Sequence, residues 1–194
     1  NTLEGVSVRV AGIPAAVALV SFDQIWALCP SLPTEGPVEV QVTGPRGVVR
    51  ANATLEKFAP AFFVFPENYV RTVHPDGAFA AKTGLRIEEA PSTRVARPGD
   101  VVMMFGSGFG ATNPPVNPVV RFEGKAELTA PMTLTIGGVK ADYVFAGISG
   151  TGLYQFNVVI PPIQSQANAA EVDLEVIAEI GGKKTPAGRF ITVA

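Results

Sequence analysis

The chain of 194 residues is 47% hydrophobic and 16% charged, with a mean hydropathy of +0.28, which is too apolar and too sparsely charged for a disordered protein. Glycine (20) and proline (17) are too frequent for long helical bundles or a coiled coil, and a net charge of −2 leaves no electrostatic footprint for nucleic acid or an anionic membrane. One cysteine excludes an intrachain disulfide, and one histidine excludes any site that needs two imidazoles.

In chain order the dominant signal is alternation, which places successive side chains on opposite faces of a sheet. Val6, Val8 and Val10 alternate with Ser7 and Arg9, and Val38, Val40 and Val42 alternate with Glu39, Gln41 and Thr43. Each predicts a strand with one dry face. The apolar run Val101 to Phe105 suits a strand covered on both faces. Met132, Leu134 and Ile136, then Tyr154, Phe156, Val158 and Ile160, then Val172, Leu174 and Val176 predict three more strands. Gly44-Pro45-Arg46-Gly47, His74-Pro75-Asp76-Gly77, Gly137-Gly138 and Gly181-Gly182 supply the turns, and only Ala167 to Ala170 hints at a helical turn. Short strands at spacings of roughly 8 to 12 residues indicate an all-β sandwich or barrel. No stretch approaches the roughly 18 apolar residues of a membrane span. The chain opens at Asn1 with no charged n-region or apolar h-region, which reads as a mature product or an excised fragment.

An internal repeat runs through this pattern. Val10-Ala11-Gly12-Ile13-Pro14-Ala15 lines up with Ile136-Gly137-Gly138-Val139-Lys140-Ala141. Asp23-Gln24-Ile25 through Cys29-Pro30 matches Tyr154-Gln155-Phe156 through Ile160-Pro161, and the strand of Val38, Val40 and Val42 answers that of Val172, Leu174 and Val176. The later copy carries Arg97 to Phe105 and the loop Gly106 to Gly110 ahead of these segments, with no counterpart in the earlier one. The first module is therefore expected to be truncated, and its bare sheet edge to invite self-association.

The ordered set Gly5-Val6-Ser7-Val8, Gly12-Ile13-Pro14-Ala15, Gln24-Ile25, Pro30, Asp76-Gly77, Ala96 to Asp100, Gly108-Phe109-Gly110, Asn113-Pro114-Pro115, Ile136 to Val139 and Gly152 to Asn157 carries a resemblance that covers nearly the whole chain. It resembles a family of uncharacterised C-terminal regions of large secreted acidobacterial proteins of the Solibacter type, whose modules are similar to the Ig-like, plexin and transcription-factor (IPT/TIG) fold. The resemblance implies tandem extracellular Ig-like β-sandwich modules and brings no activity with it. The chain departs from the family in lacking the segment before Asn1.

Chemistry-bearing patterns read mostly as structure. Gly106-Ser107-Gly108-Phe109-Gly110-Ala111 fits a permissive dinucleotide pattern, but Pro114 and Pro115 forbid the helix that would meet a pyrophosphate. It reads instead as a tight connection between strands. Cys29 and His74 are the residue types of a thiolate and its base, yet the repeat puts Ile25, Ala27 and Cys29 on an apolar face with an inert thiol, and His74 at an exposed turn tip. Glu88-Glu89 lies in a polar connection, and Glu123, Glu127, Glu171, Glu175 and Glu179 sit on solvent-facing positions. Asp76, Asp100 and Asp142 are too scattered to specify a calcium loop, though oxygen ligands can also be assembled across loops. Gln24 and Gln155 recur, and an amide there suits a bridge to a neighbouring loop. Trp26 aligns with Asn157, on the face opposite Cys29, which predicts an outward or inter-module ring. Asn52-Ala53-Thr54 fits the N-glycosylation pattern.

These readings predict a partial Ig-like module over 1–60, a connecting hairpin over 61–90 that packs between modules, and a second module over 91–194. No catalytic residue, cofactor or metal site is predicted. The expected role is a non-catalytic extracellular module that spaces, presents or docks other domains of a larger secreted protein or another extracellular protein. The alternative is a carbohydrate-binding module in which Trp26 and tyrosines such as Tyr69, Tyr143 or Tyr154 stack on glycan.

Overall fold

The computed structural model describes residues 2–85, 87, 92–162 and 170–194. Glu88-Glu89 and nearly all of the suggested helical turn at Ala167 to Ala170 lie outside the described residues. Among the described residues the regular structure is strand, apart from a 3-10 turn at Pro66–Asn68. The strands are β1 (Ser7–Val10), β2 (Ile13–Ala15), β3 (Val17–Val20), β4 (Ile25–Ala27), β5 (Gly36–Gly44), β6 (Gly47–Leu55) and β7 (Ala61–Phe62). They continue with β8 (Thr72–Val73), β9 (Phe79–Ala80), β10 (Thr93–Arg94), β11 (Val101–Ser107), β12 (Thr112–Asn113), β13 (Glu123–Leu128) and β14 (Met132–Ile136). The last are β15 (Val139–Lys140), β16 (Tyr143–Gly150), β17 (Leu153–Val159), β18 (Val172–Ile180), β19 (Lys183–Lys184) and β20 (Phe190–Val193).

The chain divides into two compact units. The first comprises Asn1–Lys57, Ala111–Glu127 and Ile148–Leu153, and the second Phe58–Gly110, Leu128–Gly147 and Tyr154–Ala194.

The second unit is a β-sandwich. Within this unit one sheet runs β10-β9-β8-β11-β17-β16, with β7 also on β11, and the other runs β15-β14-β18-β19 with β20 also on β18. Alternation explains the core between them: β14 buries Met132, Leu134 and Ile136 and turns Thr133 and Thr135 away. Val176, Ala178 and Ile180 of β18 and Phe156 and Val158 of β17 are buried in the same cluster, each large side chain contributing about 1.5–3 kcal/mol. β11 corrects one expectation. Val102 and Met104 are fully buried, but Val101 is 37% exposed and Met103 and Phe105 are half-buried, so only one of its faces is dry. The described part of 61–90, read from sequence as a hairpin between modules, belongs to this unit, since β7 and β8 both pair with β11.

The first unit is built on a four-stranded antiparallel sheet, β2-β1-β5-β6, with β3 and β4 forming a separate two-stranded ladder. Val8, Ala15 and Val17 form its small core, backed by half-buried Val40 and Val42. Burial fades across the sheet, from Val8 and Val10 at 6% and 7% exposed to Val49 at 69%.

The Gly106 to Gly110 loop serves backbone approach, and no helix follows it. Gly108 adopts φ +78°, and a Cβ there would overlap the carbonyl oxygen of Ala59. Gly138 has the same φ of +78° but nothing around its missing Cβ. Gly138→Ala is expected to cost about 1–2 kcal/mol from the left-handed backbone alone, and Gly108→Ala clearly more, because backbone must also move. Thermal or urea unfolding of both variants checks this; equal losses would mean that the approach of Ala59 contributes nothing.

Candidate functional site

A groove of about 310 Å³ opens in the first unit, lined by Leu19 and Trp26 on one side and by Arg121, Phe122, Glu123, Ser149, Thr151 and Leu153 on the other. Trp26 sits on β4 opposite Leu19, next to a register shift between Val17 and Leu19 on β3. Such a bulge re-aims the side chains beside it. The indole Nε1 donates to Gln24 Oε1 at 2.7 Å, and the ring is half-buried. The facing wall is pinned by Thr151, in the turn between β16 and β17. Its buried Oγ1 accepts from Phe122 N at 2.8 Å and donates to Phe122 O at 3.4 Å. Arg121 and Glu123 flank the pinned residue and are exposed. The groove thus combines two aromatic rings with one guanidinium and one carboxylate, the mix of apolar surface and a few polar groups typical of small-ligand sites.

The tyrosines expected to join Trp26 do not form a platform with open rings. Tyr69 is 4% exposed, because its hydroxyl donates to Asp173 Oδ2 at 2.6 Å and Lys82 Nζ sits 4.8 Å from its ring centroid. Burial and the adjacent carboxylate raise its pKa. Tyr154 bonds through its hydroxyl to the Gly110 carbonyl and packs against the Phe109 ring. Tyr143 is 36% exposed, with its hydroxyl on the Met132 carbonyl at 3.0 Å, and lines no described groove around Trp26.

Several other positions also differ from the sequence reading. Gln24 and Gln155 do not bridge to loops: Gln24 accepts from Trp26, and Gln155 Nε2 donates to Asn157 Oδ1 at 2.8 Å, each two residues along its own segment. Cys29 is exposed, as is Ile25 at 38%, whereas the aligned Phe156 and Ile160 are buried. The reason is that β4 has three residues and, among the described residues, pairs only with β3, so alternation does not extend to Cys29. Desolvation around the thiol raises its pKa, which disfavours a thiolate.

His74 is the largest departure, being 1% exposed instead of standing at a turn tip. The turn itself forms as expected, with His74 N donating to Ala78 O at 2.8 Å and Asp76 Oδ1 accepting from Ala78 N at 3.0 Å. The β10 strand pairs with β9 and covers the imidazole, whose Nε2 lies 3.4 Å from the Arg94 carbonyl. A carbonyl can only accept, so the neutral ring carries its proton on Nε2 and leaves the Nδ1 lone pair buried without a donor. Asp100 Oδ2 is 4.0 Å from Nδ1, and Arg94 lies between the carboxylates, 3.2 Å from Asp76 and 3.8 Å from Asp100. Burial, and then the Arg94 charge, lower the imidazole pKa, against the opposing pull of Asp100 and Asp76.

A second groove, of about 390 Å³ in the second unit, is lined by Pro98, Lys140, Asp142, Pro161 and Pro162 among others and holds no aromatic ring. Among the described residues no group of three or more His, Cys, Asp or Glu side chains is placed to hold a metal ion, and no helix is long and apolar enough to cross a membrane.

No family model and no curated protein matches the sequence. Among solved structures the chain is similar to SGBP-B of the Bacteroides ovatus mixed-linkage glucan utilization locus, in complex with a mixed-linkage heptasaccharide, at a TM-score of 0.32 and 12% identity. The match covers 97% of this chain and 36% of that one, so the chain spans about a third of that protein's length. A likeness at this level leaves the groove itself as the ground for any functional reading.

The buried histidine has a consequence for stability. Because its folded pKa lies below its ordinary value of 6.5, the unfolded chain takes up the proton first. Its neutral form is thus accommodated above about pH 6.5, and stability falls as the pH drops through and below that value. Asp76, whose pKa is lowered chiefly by the Ala78 N–H, acts in a separate window near and below 4. Urea unfolding at a series of pH values is expected to show a decline as the pH falls through and below about 6.5 that flattens in His74→Gln; an unchanged slope in the variant would refute the assignment.

Proposed function

We propose that the chain is a non-catalytic extracellular module that binds glycan in the Trp26 groove. The observation that carries this reading is the meeting of an indole, locked by its own N–H···Oε1 bond to Gln24, with Arg121 and Glu123 across one open groove. A pyranose ring has an apolar face of C–H groups and a rim of hydroxyls. Aromatic side chains match the first, and a guanidinium donor with a carboxylate acceptor matches the second. The indole N–H is already committed, so Trp26 offers surface, while Arg121 and Glu123 offer hydrogen bonds.

Calorimetry against a panel of soluble oligosaccharides is expected to find a ligand whose affinity drops about tenfold in Trp26→Ala, the equivalent of about 1.4 kcal/mol of lost stacking. Arg121→Ala is expected to weaken binding at unchanged thermal stability, since that side chain is exposed. The reading fails if no oligosaccharide binds, or if Trp26→Ala binds as the wild type does.

A further inference from the structure

We propose that the β6 edge is a homodimer interface, in which β6 pairs antiparallel with β6 of a second copy about a two-fold axis at Ala51. β6 has nine residues and is the terminal strand of its sheet. Eight of the nine, Gly47 to Thr54, are exposed, Val48 by 48% and Val49 by 69%. Exposed edges are normally blunted by proline, lysine, inward-pointing charge or short length. Between Gly47 and Leu55 the only charge is Arg50, and it is neutralised within the unit by Glu39 at 3.5 Å.

The backbone of β6 selects how a second copy can pair. Gly44 and Gly47 close the hairpin around Pro45-Arg46 and can pair only by bonding directly to each other, and the register runs unshifted to Gly36 opposite Leu55. The N–H and C=O groups of Gly47, Val49, Ala51, Ala53 and Leu55 are therefore used by β5. Those of Val48, Arg50, Asn52 and Thr54 point to the open side. A second β6 must offer its own even-numbered residues to these groups, which restricts the register to alternatives two residues apart.

One of these alternatives fits the side chains. With Ala51 opposite the partner's Ala51, all nine residues pair, Arg50 faces the partner's Asn52, and Val48 faces the partner's Thr54. Just beyond the strand, Arg46 comes opposite the partner's Glu56, at both ends of the ladder. A shift one way sets Arg50 against the partner's Arg50; a shift the other way sets Val48 against the partner's Glu56. The same register keeps Val49, Ala51, Ala53 and Leu55 on one face with Val38, Val40 and Val42 of β5, so the apolar sides of two four-stranded sheets become continuous.

The test is sedimentation of the full chain as wild type, Ala51→Lys, Ala51→Asp and an equimolar mixture of the two variants. The wild type is expected to show a concentration-dependent dimer. Each variant places like charges directly opposite at the two-fold and is expected to sediment as a monomer that stays folded, with a wild-type far-ultraviolet circular dichroism spectrum, because residue 51 is exposed. The mixture, in which lysine meets aspartate, is expected to return to dimer. A monomeric wild type, variants that dimerise as the wild type does, or a mixture that stays monomeric would each overturn the proposal.

Discussion

A sheet face lined with valine, leucine and isoleucine has to be covered, and the architecture follows from how far each unit meets that demand. In the second unit β14 and β18 pair from Met132 opposite Ile180 to Ile136 opposite Val176, which aligns their apolar residues on one face. β11 and β17 present Val102, Met104, Phe156 and Val158 against it, and the cluster closes with every one of these side chains buried. In the first unit the same kind of face starts buried at β1 and ends open at β6. Both surfaces with a functional reading, the Trp26 groove and the β6 edge, belong to the unit in which coverage is incomplete.

The two units share a local ladder in detail. Hairpin β1–β2 and hairpin β14–β15 each pair their first strand with a later long strand, β5 and β18. Val10 opposes Val40 as Ile136 opposes Val176. Ala11 N bonds to Glu39 O at 2.9 Å as Gly137 N bonds to Glu175 O at 2.8 Å. Glu39 therefore corresponds to Glu175, which moves the match read from sequence, Val38 with Val172, by two residues. Period-two alternation is unchanged by a shift of two, so pattern alone has no means of choosing between them, whereas a hydrogen bond at the hairpin corner does. Beyond this ladder the units diverge: β5 is followed by one nine-residue strand, while β18 is followed by β19 of two residues and β20.

Legibility divides along the same line. The all-β sandwich, the buried residues of β14 and the turn at His74 to Gly77 follow from alternation and turn chemistry, which are local. The burial of His74 is not local: it depends on β10 lying beside β9, a pairing between residues separated by a polar stretch with no strand signal. Cys29 escapes the alternation because the segment aligned with it in sequence forms a seven-residue strand, whereas β4 stops at Ala27. Of the groove, Trp26 was visible as an isolated aromatic residue off the dry face. Arg121, Phe122 and Glu123 were not, since nothing in their spacing announces that Thr151 ties their backbone down from the β16–β17 turn.

That tie also explains how an open groove can be preorganised without a large core beneath it. Phe122 has both its N–H and its carbonyl engaged by one buried hydroxyl, so the flanking Arg121 and Glu123 project from a fixed stretch of backbone. Opposite them the indole is held by Gln24, which accepts through Oε1 from the ring N–H, whereas Gln155, aligned with it in sequence, donates through Nε2 to Asn157 Oδ1 two residues along. In both places a glutamine amide holds the side chain two residues on, but it accepts from a tryptophan in one and donates to an asparagine in the other. A support that orients a polar side chain in the second unit thus fixes an aromatic surface in the first. Ordering these side chains before a ligand arrives removes part of the entropic cost of binding, which makes a shallow site workable where burial alone would be weak.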